Sequence, residues 1–236
     1  MPDDLPLGDQ IEKGPMLAVE AAVLEGTDVR LVPADPSHRG DLFAGSHGSQ
    51  EASEIWTYMS YGPFADPDEL GDWLAEVKYS RDPRYFTVLA RRSGSAIGMA
   101  SYLNASYEMQ RLEIGHIWYS LAAQRTTANT EAAYLLSLNA FEALGARRLE
   151  WKCDALNQRS RTAAARLGFR FEGVLRNHMI VKGRSRDTTY FAMTDEDWRV
   201  ARPTLERWLY QTGRDSAGKP LAALSEMMQT AVKRGA

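Results

Sequence analysis

The stretch that most limits what this chain can fold into is residues 111–144, RLEIGHIWYSLAAQRTTANTEAAYLLSLNAFEAL. Leu112 to Tyr119 is rich in β-branched and aromatic residues, which suit a pleated, half-buried strand. Gln124 to Asn129 has no large apolar side chain and reads as a turn. Ala132 to Leu144 is apolar on most sides, which predicts a long helix buried against a sheet. Glu131 and Glu142, three helical turns apart, are expected to mark its solvent edge. A turn between a strand and a buried helix offers free backbone N–H groups and the positive end of a helix dipole. It is a place to hold an anion, phosphate above all.

Length and composition set the frame for that element. At 236 residues the chain suits one domain with tails. We divide it into a mobile arm at 1–17, a domain at 18–212, and a linker with a short helix or tail at 213–236. A net charge of −3 argues against a general nucleic-acid or anionic-membrane binder. The single cysteine, Cys153, excludes an internal disulfide and gives no metal-ligand spacing. The acidic start, MPDDLPLGDQ, lacks a signal-type apolar run, and no segment reaches membrane-spanning length. A cytoplasmic protein that binds no metal is the expectation.

Along the chain, Val23 to Val32 reads as a strand with Gly26-Thr27-Asp28 as a turn inside or before it, and Asp35-Pro36-Ser37 starts a short helix to about Ala44. Trp56-Thr57-Tyr58-Met59-Ser60-Tyr61-Gly62-Pro63-Phe64 holds four aromatics in nine residues. It is either a loop tucked over the core or the substrate side of a site. Asp66 and Pro67 open a helix to about Tyr79. Tyr85–Ala90 and Ala96–Leu103 form a hairpin over Ser93-Gly94-Ser95. After the central helix, Arg148–Cys153 returns as a parallel strand. Asn157 caps a helix from about Gln158 to Leu167, strands 171–182 and 188–193 close the sheet, and a helix starts at Thr194-Asp195-Glu196-Asp197. Residues 220–232 read as an amphipathic helix or a frayed tail.

These residues also carry a resemblance. Glu113-Ile114-Gly115-His116, the turn Gln124–Asn129 and Thr130-Glu131-Ala132 resemble the central motif of the GCN5-related N-acetyltransferases (GNAT), in the branch that includes the ribosomal-protein N-terminal acetyltransferases. Asn157-Gln158-Arg159-Ser160, Leu167-Gly168-Phe169 and Glu172-Gly173-Val174-Leu175-Arg176 continue the likeness, and Gly183 with Asp187 end it. The resemblance implies a mixed α/β (α+β) fold: a mostly antiparallel sheet, a β-α-β core that binds acetyl-coenzyme A, and flanking helices. It implies transfer of an acetyl group to a primary amine, on a protein N-terminus or a small molecule. The acceptor is its only implied partner beyond the cofactor, and a homodimer is compatible with it.

The resemblance also distributes roles. Backbone groups of Gln124, Arg125, Thr126, Thr127, Ala128, Asn129 and Thr130 would hold the pyrophosphate. Main-chain atoms of Ile117, Trp118 and Tyr119 would pair with the pantetheine arm, with Asn157 and Ser160 beside it, and Arg166 would meet phosphate. Glu113 matches a carboxylate that acts as general base, and His116 is an alternative with a suitable ordinary pKa. By strand alternation His116 faces away from Glu113 unless a bulge intervenes. Two departures stand out. The turn's glycine falls on Thr127 and its second small residue on Asn129, and the tyrosine that many members place seven residues after the asparagine is Ala164 here. They leave a second reading open, a binding module of the same fold without turnover.

Overall fold

The computed structural model describes residues 5–12, 14–216, 218 and 220–235. Eight strands form one sheet in the order β1-β2-β3-β4-β5-β6-β8-β7. In sequence they are β1 (Leu24–Glu25), β2 (Val29–Pro33), β3 (Arg84–Ala90), β4 (Ala96–Ser106), β5 (Arg111–Tyr119), β6 (Arg148–Asp154), β7 (Arg170–Val181) and β8 (Arg184–Thr194). β5 and β6 are parallel; every other neighbouring pair is antiparallel. The helices are α1 (Arg39–Ser46), α2 (Gln50–Ser53), α3 (Pro67–Val77), α4 (Ala128–Leu138), α5 (Gln158–Leu167), α6 (Asp195–Tyr210) and α7 (Leu224–Gly235). The expected mixed fold is the observed one.

Each face of the sheet buries its own core. On one face Ala132, Ala133, Leu135 and Leu136 of α4 pack with Leu167 of α5, Trp198 and Leu205 of α6, and Leu224 and Met228 of α7. On the other, Leu42 of α1 and Leu70 and Leu74 of α3 pack with Trp56, Phe64, Tyr85, Met99 and Trp118. Local chemistry sets the helix starts. Asp66 accepts from the amides of Asp68 and Glu69, and Thr194 and Asp197 cap α6 reciprocally.

The structure corrects several expectations. Glu131 does not mark a solvent edge: it is fully buried, and its carboxylate accepts from the amides of Thr27, Asp28 and Val29 at 2.7–2.8 Å. The central helix begins at Ala128 and ends in a π-helical turn, Asn139–Ala143. The turn expected at Gly26–Asp28 does lie inside the first strand, divides it into β1 and β2, and is held by Glu131. α1 runs through Gly45, where a Cβ would lie 2.6 Å from that of Ser120. The arm drawn to residue 17 is tied to the domain from Gly14 onward. Gln110 donates to the Gly14 carbonyl, the Met16 and Leu17 amides donate to Tyr107 and Leu144, and Met16 is buried. Residues 1–4 lie outside the described residues.

Candidate active site

β5 and β6 pair over only four positions, the last being Ile114 with Trp151, and then diverge. From Gly115 to Tyr119, β5 keeps β4 on one side and, among the described residues, has no strand on the other. The divergence opens a cleft of about 550 Å³ lined by Glu113, His116, Ile117, Lys152, Asn157 and Ser160, among others. Extended backbone with an unpaired edge is a template for any ligand able to add as a further strand. Trp118 and Tyr119 contribute backbone only. Their side chains belong to the two cores on opposite faces.

A bulge decides which side chains enter the cleft. Ser101 pairs with Gly115 and Met99 with Trp118, so two residues of β5, His116 and Ile117, stand opposite Ala100. His116 adopts φ 51°, in the left-handed region. The extra residue swings the imidazole onto the face of Ser101, Leu103 and Glu113. His116 Nδ1 lies 2.8 Å from Ser101 Oγ, which donates to the Gly115 carbonyl at 3.2 Å. Burial pushes the His116 pKa down to about 4, against the pull of Asp82. The condition set by strand alternation is therefore met, and Glu113 and His116 share one cleft.

Glu113 is held firmly. Its Oε2 accepts from Asn104 Nδ2 at 2.8 Å and faces Lys152 Nζ at 2.9 Å. Lys152 also meets Glu150 at 3.0 Å, and its ammonium sits 4.6 Å from the Tyr190 ring centroid. Glu150 in turn binds Arg148, which bridges to Glu172. Burial raises the Glu113 pKa, with Lys152 and Asn104 opposing. Burial works against the Lys152 ammonium, but Glu113 and Glu150 outweigh it and hold its pKa up. Oε1 takes no part in these contacts and lies towards Gly115, where a Cβ would come within 3.6 Å of it and 2.8 Å from Leu103. Lys152 and Asn104 were not singled out from sequence. The available signal was the Arg148, Glu150, Lys152 alternation, three charges on one face of a strand that otherwise buries Leu149, Trp151 and Cys153.

The turn before α4 has free groups in its backbone more than in its side chains. The amides of Arg125, Thr126 and Thr127 have no acceptor among the described residues, and the first turn of α4 follows directly. The threonine hydroxyls are engaged or buried. Thr126 Oγ1 donates to Ala123 and receives Ala128 N–H, Thr127 Oγ1 donates to Asp28, and Thr130 is fully buried. Gln124 Nε2 donates to the Tyr119 carbonyl. Asn129 keeps a buried Oδ1 without a partner. The left-handed position is Arg125, φ 61°, while Thr127 has φ −72°. Absence of glycine at Thr127 therefore carries no backbone strain.

Asn157 is the N-cap of α5 and also lines the cleft. Its Oδ1 caps α5 at the Ser160 amide, leaving Nδ2 to donate, and Ser160 Oγ accepts from Trp151 Nε1. Arg166 is not brought to the cleft; it sits in the last turn of α5, more than two helical turns from Asn157. The aromatic loop divides between its two readings. Trp56 is core, 2% exposed, with its indole N–H on the Ser46 carbonyl. Tyr58, Met59 and Ser60 line the cleft. This loop is also tied to two distant segments: Lys182 Nζ donates to the Trp56 carbonyl at 3.0 Å, and Tyr58 OH donates to the Leu156 carbonyl at 3.3 Å. Cys153 lines the cleft as a buried thiol whose pKa burial raises, so it packs rather than reacts.

A parallel pair that splays beside a buried carboxylate, with a polar turn leading into a buried helix, is the architecture of an acyltransferase of the GNAT type. The family comparison agrees. Residues 28–170, more than half of the chain, match the acetyltransferase (GNAT) domain family, and the chain belongs to it. A GCN5-related N-acetyltransferase from Brucella melitensis shares 36% identity at a TM-score of 0.88, over 92% of this chain and 99% of that one. A GNAT-family protein of Chromobacterium violaceum ATCC 12472 shares 38% at 0.75, over 84% and 100%. YdaF of Bacillus subtilis (strain 168), named provisionally as a ribosomal N-acetyltransferase, is 30% identical over 105 residues, 44% of this chain; the match spans 57% of YdaF. The microcin C7 self-immunity acetyltransferase MccE, solved with acetyl-CoA and AMP, shares the fold at a TM-score of 0.63 and 18% identity. Among the described residues no helix is long and apolar enough to cross a membrane.

Proposed function

We propose that this chain moves an acetyl group from acetyl-coenzyme A to a primary amine by direct transfer within a ternary complex. The observation that carries the reading is the splay of β5 from β6, which opens one cleft onto Glu113 and His116. The residues present fit the cofactor. Free amides at Arg125–Thr127 and the dipole of α4 suit its pyrophosphate, and the exposed Arg125 side chain adds positive charge. The open edge of β5 and Asn157 Nδ2 suit its amide-bearing arm. When bound, the cofactor supplies an activated acyl thioester. The fold neighbour MccE binds the same molecule.

Glu113 Oε1 takes the first proton, turning the arriving ammonium into an amine, directly or through water. Asn104 and Lys152 fix the other oxygen and so aim this one. The amine class follows from magnitudes. An α-amine of pKa about 8 is roughly 10% neutral at pH 7, a penalty near 1.4 kcal/mol, against about 4.6 for a lysine amine. A base already paired with Lys152 is better matched to the smaller penalty, which favours N-terminal or small-molecule amines. The test is thiol release from acetyl-coenzyme A over a panel of α-amines and lysine analogues. Release that depends on amine supports the reading. No heat of binding at millimolar cofactor and no release with any amine would overturn it.

A further inference from the structure

The tyrosine position seven residues after Asn157 is Ala164, which is fully buried and has no proton to give. Some other group must protonate the departing sulfur. The bulge in β5 points to one.

His116 is constrained from several sides. Its ring lies 5.0 Å from that of Tyr85 and 5.7 Å from that of Tyr61, and Ser101 fixes Nδ1. Ser101 is fully buried and has one hydroxyl proton, which goes to the Gly115 carbonyl. With the Ser101 proton on Gly115, Nδ1 is the donor to Ser101 and Nε2 keeps its lone pair, the tautomer on which the proposal stands. The left-handed backbone of His116 belongs to the bulge that sets its ring in the same cleft as Glu113.

We propose that His116 is the proton shuttle of the transfer: Nε2 accepts the proton that the amine nitrogen sheds as the N–C bond forms, and delivers it to the sulfur as the C–S bond breaks. The proposal rests on the acetyltransferase reading and completes its proton balance. An ammonium acceptor loses two protons on becoming an amide. The first leaves through Glu113 to water and the second passes through His116 to sulfur, giving amide, free thiol and one solvent proton. The environment suits this traffic. Burial keeps the ring neutral at pH 7, ready to accept, and makes the imidazolium acidic enough to protonate a thiolate of ordinary pKa about 8.5. The groups facing the ring from neighbouring elements are Tyr61 of the aromatic loop, Asp82 in the loop before β3, Tyr85 of β3, and Ser101 of β4; Glu113 lies on its own strand.

The test begins without turnover. Nitrogen-15 NMR of the imidazole in the free protein should show Nδ1 protonated and Nε2 bare from pH 6 to 9. An Nε2–H tautomer or an imidazolium at pH 7 overturns the proposal. His116→Asn, which tolerates left-handed backbone, and His116→Ala are then compared with wild type. Both should lose about 10²-fold in kcat, the low end for acid–base catalysis. Acetyl-coenzyme A affinity by calorimetry should stay within twofold, and imidazole should partly rescue the alanine variant. Wild-type kcat in His116→Asn, or a defect confined to KM, overturns the shuttle while leaving the acetyltransferase reading intact. A wild-type protein that releases thiol with no amine removes both.

Discussion

Replacing Glu131 with alanine should destabilise the protein severely, although Glu131 has no part in the chemistry. The carboxylate is fully buried and accepts three amides, from Thr27 and Asp28 at partly buried positions and from Val29 in the core. A hydrogen bond to a charged acceptor contributes about 1.5–3 kcal/mol. In Glu131→Ala the Thr27 and Asp28 amides regain water in part, whereas the Val29 amide is left unpaired. The expected loss is about 3–5 kcal/mol, a large share of the roughly 5–15 kcal/mol that holds an ordinary domain. Glu131→Gln keeps one acceptor oxygen and turns an N–H₂ towards amide donors, so it should fall between the two. Urea unfolding checks this: the midpoint should drop with little change in slope. A loss below about 1 kcal/mol for the alanine variant would refute the reasoning.

The same substitution reaches function through geometry. Glu131 lies one residue past the Gln124–Thr130 turn, and Thr127 adds a second tie to the same segment through Asp28. Loss of the Glu131 ties leaves the Thr127–Asp28 bond as the remaining link and should let the start of α4 drift from the Gly26–Asp28 turn. Acetyl-coenzyme A affinity should therefore weaken in Glu131→Gln even at temperatures where the variant is folded.

Other consequences are smaller and separable. Trp56→Ala should destabilise by about 3–5 kcal/mol, as a buried aromatic does, whereas Tyr58→Ala should raise the acceptor KM and leave the melting temperature nearly unchanged. Arg125→Gly should relieve left-handed strain and raise stability by up to about 1 kcal/mol, while acetyl-coenzyme A binding becomes weaker and less salt-dependent. Glu113→Gln should lower kcat/KM by about 10²–10⁴-fold at neutral pH, and the deficit should shrink towards the amine's own pKa. His116 sets a pH dependence of stability. Its folded pKa of about 4 lies below the unfolded 6.5, so the unfolded chain binds more protons between those values and stability falls as pH drops from about 6.5 to 4. His38 and His47, also lowered by burial, act in the same direction, so the His116 share is the part of the acid sensitivity that His116→Asn removes.

What the sequence made legible was local. The central strand, the polar turn and the buried helix follow from periodicity and from the absence of large apolar residues between Gln124 and Asn129. The caps at Asp66, Asn157 and Thr194 follow from side-chain chemistry within three residues. Glu131 was misread because a carboxylate beside an apolar run is usually a solvated edge, and its three partners lie more than 100 residues away. The same holds for Lys152 and Asn104, whose meeting with Glu113 depends on two different strand pairings. The halves of the aromatic loop could not be told apart by composition. Trp56 ends a 3-10 turn and is buried, whereas Tyr58, two residues on, lines the cleft.

The bulge at His116 shows where local reasoning stops and why the stop is informative. Strand alternation places residue 116 opposite residue 113, and a chain following only that rule would bury the imidazole among α4 and its neighbours. One additional residue on β5 reverses this and also lets Gly98 lie against the Trp118 carbonyl, where a Cβ would approach to 2.3 Å. Trp118 then joins the aromatic core, Tyr119 the opposite one, and β5 leaves β6 within the same few residues. Side-chain inversion and the pairing of His116 with Ser101 are thus consequences of one register shift, and the splay of β5 from β6 begins beside it. A variant that removed the bulge by deleting one residue between Gly115 and Trp118 should lose cofactor binding and His116 orientation together, because both depend on the same displaced backbone.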